Sequence, residues 1–263
     1  MNFYENILND VKAKAEAANP RTEKDFVKDG ILYCGVCGEP KETKDPVPVI
    51  GRRMPVTCLC KKAEEQRKEE RIKQQNHDTL RCECFDSPKQ RRMTFDADDR
   101  RNGEMSKICR NYAERFGAMN RKGLVLYGGV GTGKTFLGCC IANALIDRGI
   151  ACRYTSFAAQ ASEREDLTQY GFVVLDDFGA ERDTSYMGEV VYNTIDTLYR
   201  FDIPFLLTTN MSSEELKKAS DTHMQRILSR LYECCTFHKV DGQDRRREAL
   251  IRDTQRINKI LTE

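Results

Sequence analysis

The plainest chemistry in the chain lies in eight consecutive residues. Gly128-Gly129-Val130-Gly131-Thr132-Gly133-Lys134-Thr135 fits the pattern G-x-x-x-x-G-K-[ST]. Glycines at this spacing let the backbone curl until successive N–H groups point at one anion. The helix that follows adds its positive N-terminus. The expected phosphate site runs from Gly128 to Phe136. Lys134 is expected to reach the β- and γ-phosphates of a nucleotide, and Thr135 to give its hydroxyl to Mg²⁺. Downstream, Phe172-Val173-Val174-Leu175-Asp176-Asp177 is an apolar strand ending in two acids. Asp176 is expected to hold the Mg²⁺ shell and Asp177 to polarise the attacking water. In isolation the same pair would read as a surface turn after a core strand. A third run, Phe205 to Asn210, puts Asn210 at a strand end, where it either touches the γ-phosphate or water, or simply caps a helix. In Arg226-Ile227-Leu228-Ser229-Arg230-Leu231 two arginines share one helix face. They read as a finger that offsets transition-state charge on a neighbouring subunit, or as a solvated face.

The second chemical cluster is sulfur. Cys34-Gly35-Val36-Cys37 and Cys58-Leu59-Cys60 are two pairs with 20 residues between them. Four thiolates close a tetrahedral site around Zn²⁺. Residues 31–60 hold few large apolar side chains, so metal is expected to supply much of their folding energy. Cys82-Glu83-Cys84 competes as the second pair, and unligated thiols are the bland alternative. Cys109, Cys139, Cys140, Cys152, Cys234 and Cys235 sit in or beside apolar stretches, where a thiol packs as a small hydrophobe.

The elements that must position these groups follow from periodicity. From Met105 onward helix and strand alternate: helix 105–120, strand 123–127, helix 135–148, strands 151–155 and 172–175. Helix 186–200, strand 203–208, two helices over 212–232 and strand 234–240 complete the series. Such alternation predicts an α/β fold, a parallel sheet flanked by helices. Residues 1–18 read as an amphipathic helix through Phe3, Ile7, Val11 and Ala15, and 61–75 as a charged helix. The expected organisation is a zinc-binding domain at 1–78, a linker at 79–104 and the α/β domain at 105–263, ending in a basic tail.

Lys plus Arg is 43 and Asp plus Glu is 41 among 263 residues, a net charge of +2, which excludes a histone-like binder. No apolar run reaches the ~20 residues that span a bilayer, and the first residues lack a secretory pattern, so a cytoplasmic protein is expected. Lys89, Arg91 and Arg92, with Arg245, Arg246, Arg247, Arg252 and Arg256, form local basic clusters that either track a phosphate backbone or are solvated.

The order of these motifs resembles an AAA+ ATPase. LVLYGGVGTGKTFLGCCIANAL, VVLDDFGAE, LLTTN and RILSRL are similar to the DnaC/DnaI/IstB family of bacterial and phage helicase loaders and a transposition helper, over roughly Thr94–Val240. The resemblance implies an ATPase in which Lys134, Thr135, Asp176 and Asp177 are the reacting-site residues, Asn210 is sensor 1 and Arg230 is the finger. Only 33 residues follow Arg230, too few for a helical lid, and this family is similarly lidless. Gly242-Gln243-Asp244-Arg245 resembles its terminal Gly-x-x-Arg turn. The short 156–171 connection departs from the family and implies trimmed DNA contacts. Cys-x-x-Cys followed by Cys-Leu-Cys-Lys and a charged helix resembles the N-terminal module of phage and DnaI-like loaders. The implied partners are a DnaB-type replicative helicase, single-stranded DNA and further copies of the chain, assembled with ATP. The helper of a transposase and an ATP-switched adaptor with little hydrolysis are the alternatives.

Overall fold

Asp29 and Gly30 both adopt positive φ, 51° and 69°, the geometry that closes a two-residue hairpin. They join β1 (Phe26–Lys28) to β2 (Ile31–Tyr33), with Phe26 stacked on Tyr33 at 5.6 Å. This hairpin belongs to the first of two compact units, Met1–Gln75 and Asn76–Glu263. The computed structural model describes residues 13, 20–48, 51–99, 103–179, 185–217, 222–242 and 244–262. The helix expected at 1–18 lies outside the described residues, apart from Ala13. In the first unit Lys41 Nζ meets Asp25 Oδ2 at 2.7 Å and the carbonyl of Pro20 at 2.6 Å, with the Lys41 and Asp25 side chains out of solvent. That ammonium holds the Asp25 carboxyl below the usual carboxylate range. The charged helix α1 (Leu59–Cys84) starts at the second cysteine pair and is longer than the 61–75 expected.

The second unit continues with α2 (Pro88–Arg91), α3 (Gly103–Glu114), β3 (Gly123–Tyr127), α4 (Lys134–Ile146), β4 (Cys152–Ser156), α5 (Phe157–Glu163) and β5 (Phe172–Phe178). Then come α6 (Ser185–Arg200), β6 (Phe205–Thr209), α7 (Ser213–Lys217), α8 (Thr222–Cys234), β7 (Cys235–Lys239) and α9 (Arg245–Thr262). Strands pair in the order β4-β5-β6-β3-β7, every pair parallel. Both faces of the sheet are covered, so its strands are apolar on both sides. Leu124, Leu126, Phe172, Val174 and Leu206 face one cluster with α3 and α4; Val125, Val173, Leu175, Phe205 and Leu207 face the other with α6 and α8. This is the period of two along each strand. Helix α4 is buried nearly all round, which is why its sequence is apolar on every side.

The expected linker at 79–104 is corrected. α1 runs through its first residues, Cys84 and Phe85 are fully buried, and Phe95 joins the same cluster. Asn143 of α4 ties the stretch down: its Nδ2 donates to the carbonyls of Gln90 (3.1 Å) and Met93 (2.9 Å), and Arg81 Nε donates to its Oδ1 (3.3 Å). The 156–171 connection holds α5, capped by Ser156, and a short 3-10 turn at Leu167–Gln169. Beyond β7 the described chain forms a single helix, α9. Among the described residues no helix is long and apolar enough to cross a membrane.

Candidate nucleotide and metal sites

Strand β3 lies between β6 and β7, although β4 follows it in the chain. Strand order therefore reverses there, and a crevice opens beyond the carboxyl ends of the strands. The loop 128–133 leaves β3 in that crevice and α4 begins at Lys134. Gly128 has φ 142°, and a Cβ there would stand 2.4 Å from the carbonyl oxygen of Val240; Gly131 has φ 78°, and a Cβ would stand 2.0 Å from Asp244 Oδ1. Both positions require glycine. Lys134 Nζ donates to the loop carbonyls of Gly128 (2.8 Å) and Gly129 (2.7 Å) and to Asn210 Oδ1 (2.8 Å).

The acids arrive on a bulge. Val173, Val174 and Leu175 pair with Phe205, Leu206 and Leu207, but Phe178 pairs with Thr209, so Asp176 and Asp177 together face Thr208. Asp177 takes φ 65°, a strained conformation for this residue type, and its N–H donates to Thr208 Oγ1 at 2.9 Å. The extra residue turns Asp177 toward Asn210, whose Nδ2 donates to Asp177 Oδ1 at 2.8 Å. Asp176 accepts from Thr135 Oγ1 at 3.0 Å and from Thr208 Oγ1 at 2.6 Å. Lys134, Thr135, Asp176, Asp177 and Asn210, chosen from sequence, thus gather at one sheet edge.

They line a pocket of ≈ 410 Å³ together with Val130, Gly131, Gly133 and Phe136. Four further residues line it: Met93 and Thr208, which the sequence did not single out, and Lys89 and Arg245, expected only as members of basic clusters and, for Arg245, of a terminal turn. Arg245 N–H donates to the Gly131 carbonyl (3.2 Å), its Nη1 pairs with Asp99 (3.1 Å), and its buried Nη2 has no hydrogen-bond partner among the described residues. The glycine loop, the lysine, the hydroxyl–carboxylate pair and this buried cationic nitrogen form a donor set suited to a nucleoside polyphosphate with a divalent cation. A signal for part of the missed set was present. Ser87-Pro88-Lys89-Gln90 is a capping box, and the structure shows both of its hydrogen bonds at the start of α2.

Arg230 is held away from this pocket. Its Nη2 meets Asp196 Oδ1 at 2.6 Å and the Tyr192 hydroxyl at 2.8 Å, and its guanidinium lies over the Tyr192 ring at 4.7 Å. Arg226 is exposed. The basic clusters are partly structural: Arg91 donates to the carbonyl of Phe85 (3.2 Å), Arg92 to that of Pro88 (3.3 Å), and Lys89 and Arg245 line the pocket.

In the first unit the Sγ atoms of Cys34, Cys37, Cys58 and Cys60 all lie within 4.8 Å of one another. Cys34 and Cys60 are 3.5 Å apart, and Cys58 and Cys60 3.3 Å. Tetrahedral Zn²⁺ with bonds of about 2.3 Å sets its sulfurs about 3.8 Å apart, so the donor set fits. Backbone N–H groups of Cys37 and Val36 hold the Cys34 thiol below its ordinary value, and those of Cys60 and Glu39 bring Cys37 down to about 6. Hydrogen bonds to the Cys58 and Cys34 sulfurs hold the Cys60 proton and push its thiol up to about 12. A dication at the centre would take the place of that shared proton. Cys82 and Cys84 are not part of this cluster: burial pushes the Cys84 thiol to about 12, and Cys82 is exposed.

No family model matches the chain. It is 28% identical over 152 residues to the replicative helicase loader DnaI of Bacillus subtilis (strain 168), a match covering 48% of this chain and 48% of that protein. The chain thus spans about half the length of the curated relative it matches. A crystal structure of DnaI aligns with a TM-score of 0.50 and 22% identity, over 62% of this chain and 95% of that one. A crystal structure of the DnaC helicase loader aligns with a TM-score of 0.52 and 20% identity, over 59% of this chain and all of that one (100%). At these identities the structures establish a shared fold, a parallel sheet with flanking helices.

Proposed function

We propose that this DnaC/DnaI-like AAA+ protein binds ATP at residues 128–136 and loads a DnaB-type replicative helicase onto single-stranded DNA in the cytoplasm. The observation that carries the proposal is the convergence of Lys134, Thr135, Asp176, Asp177 and Asn210 on one sheet edge of a loader-like fold. Lys134 leaves the loop carbonyls for the β- and γ-phosphates. Mg²⁺, held through Thr135 and Asp176, would neutralise charge on the phosphate oxygens. Asp177 polarises the attacking water, and Asn210 keeps that carboxylate oriented. Arg230 leaves Asp196 to complete the site of a neighbouring copy, so hydrolysis belongs to an ATP-dependent homo-oligomer. Cys34, Cys37, Cys58 and Cys60 hold Zn²⁺ and shape residues 1–78 as the helicase-binding domain.

One observation favours a second reading. Asp177 is one methylene shorter than the glutamate usual at this position in ATPases and is tied to Asn210, which suits an ATP-switched adaptor with little hydrolysis. The deciding experiment is a loading assay on circular single-stranded DNA with the host helicase. A loader deposits helicase only with ATP and turns nucleotide over; an adaptor deposits it without turnover; a transposase helper deposits none.

A further inference from the structure

Asp176 is held by three hydroxyls, and the nucleotide reading above gives a task to only one of them. Thr135 turns toward Mg²⁺. Thr208 Oγ1 donates to Asp176 Oδ1 and accepts from the Asp177 N–H, so it belongs to the bulge. The third donor is the phenol of Tyr154, hydrogen-bonded to Asp176 Oδ2. Tyr154 stands opposite Val174, and Ser156 opposite Asp176, in the parallel β4–β5 register. Tyr154 and Asp176 are therefore diagonal neighbours on one face of the sheet. Only a long side chain spans that diagonal. The Tyr154 ring packs beside that of Phe85, with centroids 6.1 Å apart.

We propose that Tyr154 is a positioning residue for the Mg²⁺-binding carboxylate, locking Asp176 at the rotamer from which it meets the cation. The inference rests on the nucleotide reading of this site. Two effects of the phenol oppose each other. Its hydrogen bond draws charge from the carboxylate, which weakens a cation's hold. It also fixes a group that has lost Thr135 and would otherwise turn about its last torsion. Orientation dominates, because the donor is neutral and takes little charge, and partners of metal ligands typically contribute 10–100-fold to metal affinity.

The test is binding of a fluorescent ATP analogue to the full chain, in EDTA and across a Mg²⁺ titration. Tyr154→Phe is expected to bind as wild type does in EDTA and to need about tenfold more Mg²⁺ to reach half of the cation-dependent gain. In an Asp176→Asn background the same change is expected to shift the midpoint no further, since the coupled partner is gone. Phe85→Leu leaves the hydroxyl in place and is expected to lower thermal stability while leaving the Mg²⁺ midpoint within twofold. A Tyr154→Phe midpoint equal to or below wild type overturns the proposal, as does a shift of the same size in Phe85→Leu. Wild-type protein that binds no nucleotide would instead remove the nucleotide reading itself.

Discussion

Between residues 20 and 75 the buried hydrophobic side chains among those described are Ile31, Cys34 and Cys58. Two of these three are candidate metal ligands, and the other enclosed groups are the ion pair of Asp25 and Lys41. From residue 76 onward, two clusters of buried apolar side chains cover both faces of a five-stranded sheet. The described residues of the first unit enclose a cysteine cluster suited to a metal and one ion pair, whereas the second unit is ordered by apolar burial. A chain of this kind should respond to metal and to cavities in different places, and each response can be measured.

The largest expected effect is that of metal removal. Structural Zn²⁺ contributes on the order of 10–16 kcal/mol in small metal-dependent domains. Chelation, or Cys58→Ser, is expected to abolish amide-exchange protection across residues 20–58 while leaving nucleotide binding by the second unit intact. Protection in the first unit that survives a chelator would break the comparison. Next comes Arg230→Ala. It is expected to keep nucleotide affinity but to lose about 10³-fold in turnover, the lower range for an arginine finger. Unchanged turnover would leave Arg230 as no more than the partner of Asp196 and Tyr192. Leu206→Ala, at a fully buried position on β6, is expected to cost roughly 2–5 kcal/mol in the unfolding of the second unit without altering zinc content. A loss of zinc in that variant would mean the two units share one stability. The smallest of the four is Lys134→Ala, expected to weaken ATP binding about 100-fold, in keeping with loss of a charged hydrogen bond. Equilibrium binding measures it, and unaltered affinity would move the phosphate site elsewhere.

The same contrast explains what could be read from the chain. Chemistry confined to a short run was legible: the loop from Gly128 to Thr135, the acids ending β5, and the two cysteine pairs. Strands β3 and β5 were legible because both faces are buried, which leaves unbroken apolar runs. Groups that meet only through the tertiary fold were not. Tyr154 reaches Asp176 across a strand diagonal, which no local spacing encodes; Arg245 stood out as part of a Gly-x-x-Arg turn, but its return to Gly131 after β7 did not. The stretch 79–104 was misread for a related reason. Its buried residues, Cys84, Phe85 and Phe95, are few and lie among charges, and it is held by Asn143 through backbone carbonyls, which carry no trace in its own sequence. Which C-x-C pair joins Cys34 and Cys37 depends on where the fold brings the sulfurs together, and the C-x-C spacing does not carry that. The bulge at Asp177 was equally silent, since a two-against-one pairing is set by the partner strand.

In the function proposed here, the cysteine-bearing unit and the nucleotide-binding unit serve one task, the delivery of a helicase. Native mass spectrometry of the full chain mixed with the host's replicative helicase, with and without ATP, tests it most directly. A stable complex that persists in Lys134→Ala but is lost on chelation, and that gains further copies of the chain with ATP in the wild type only, is the predicted result. No complex under any nucleotide or metal condition would contradict the account, and the transposase helper would then be the reading to pursue.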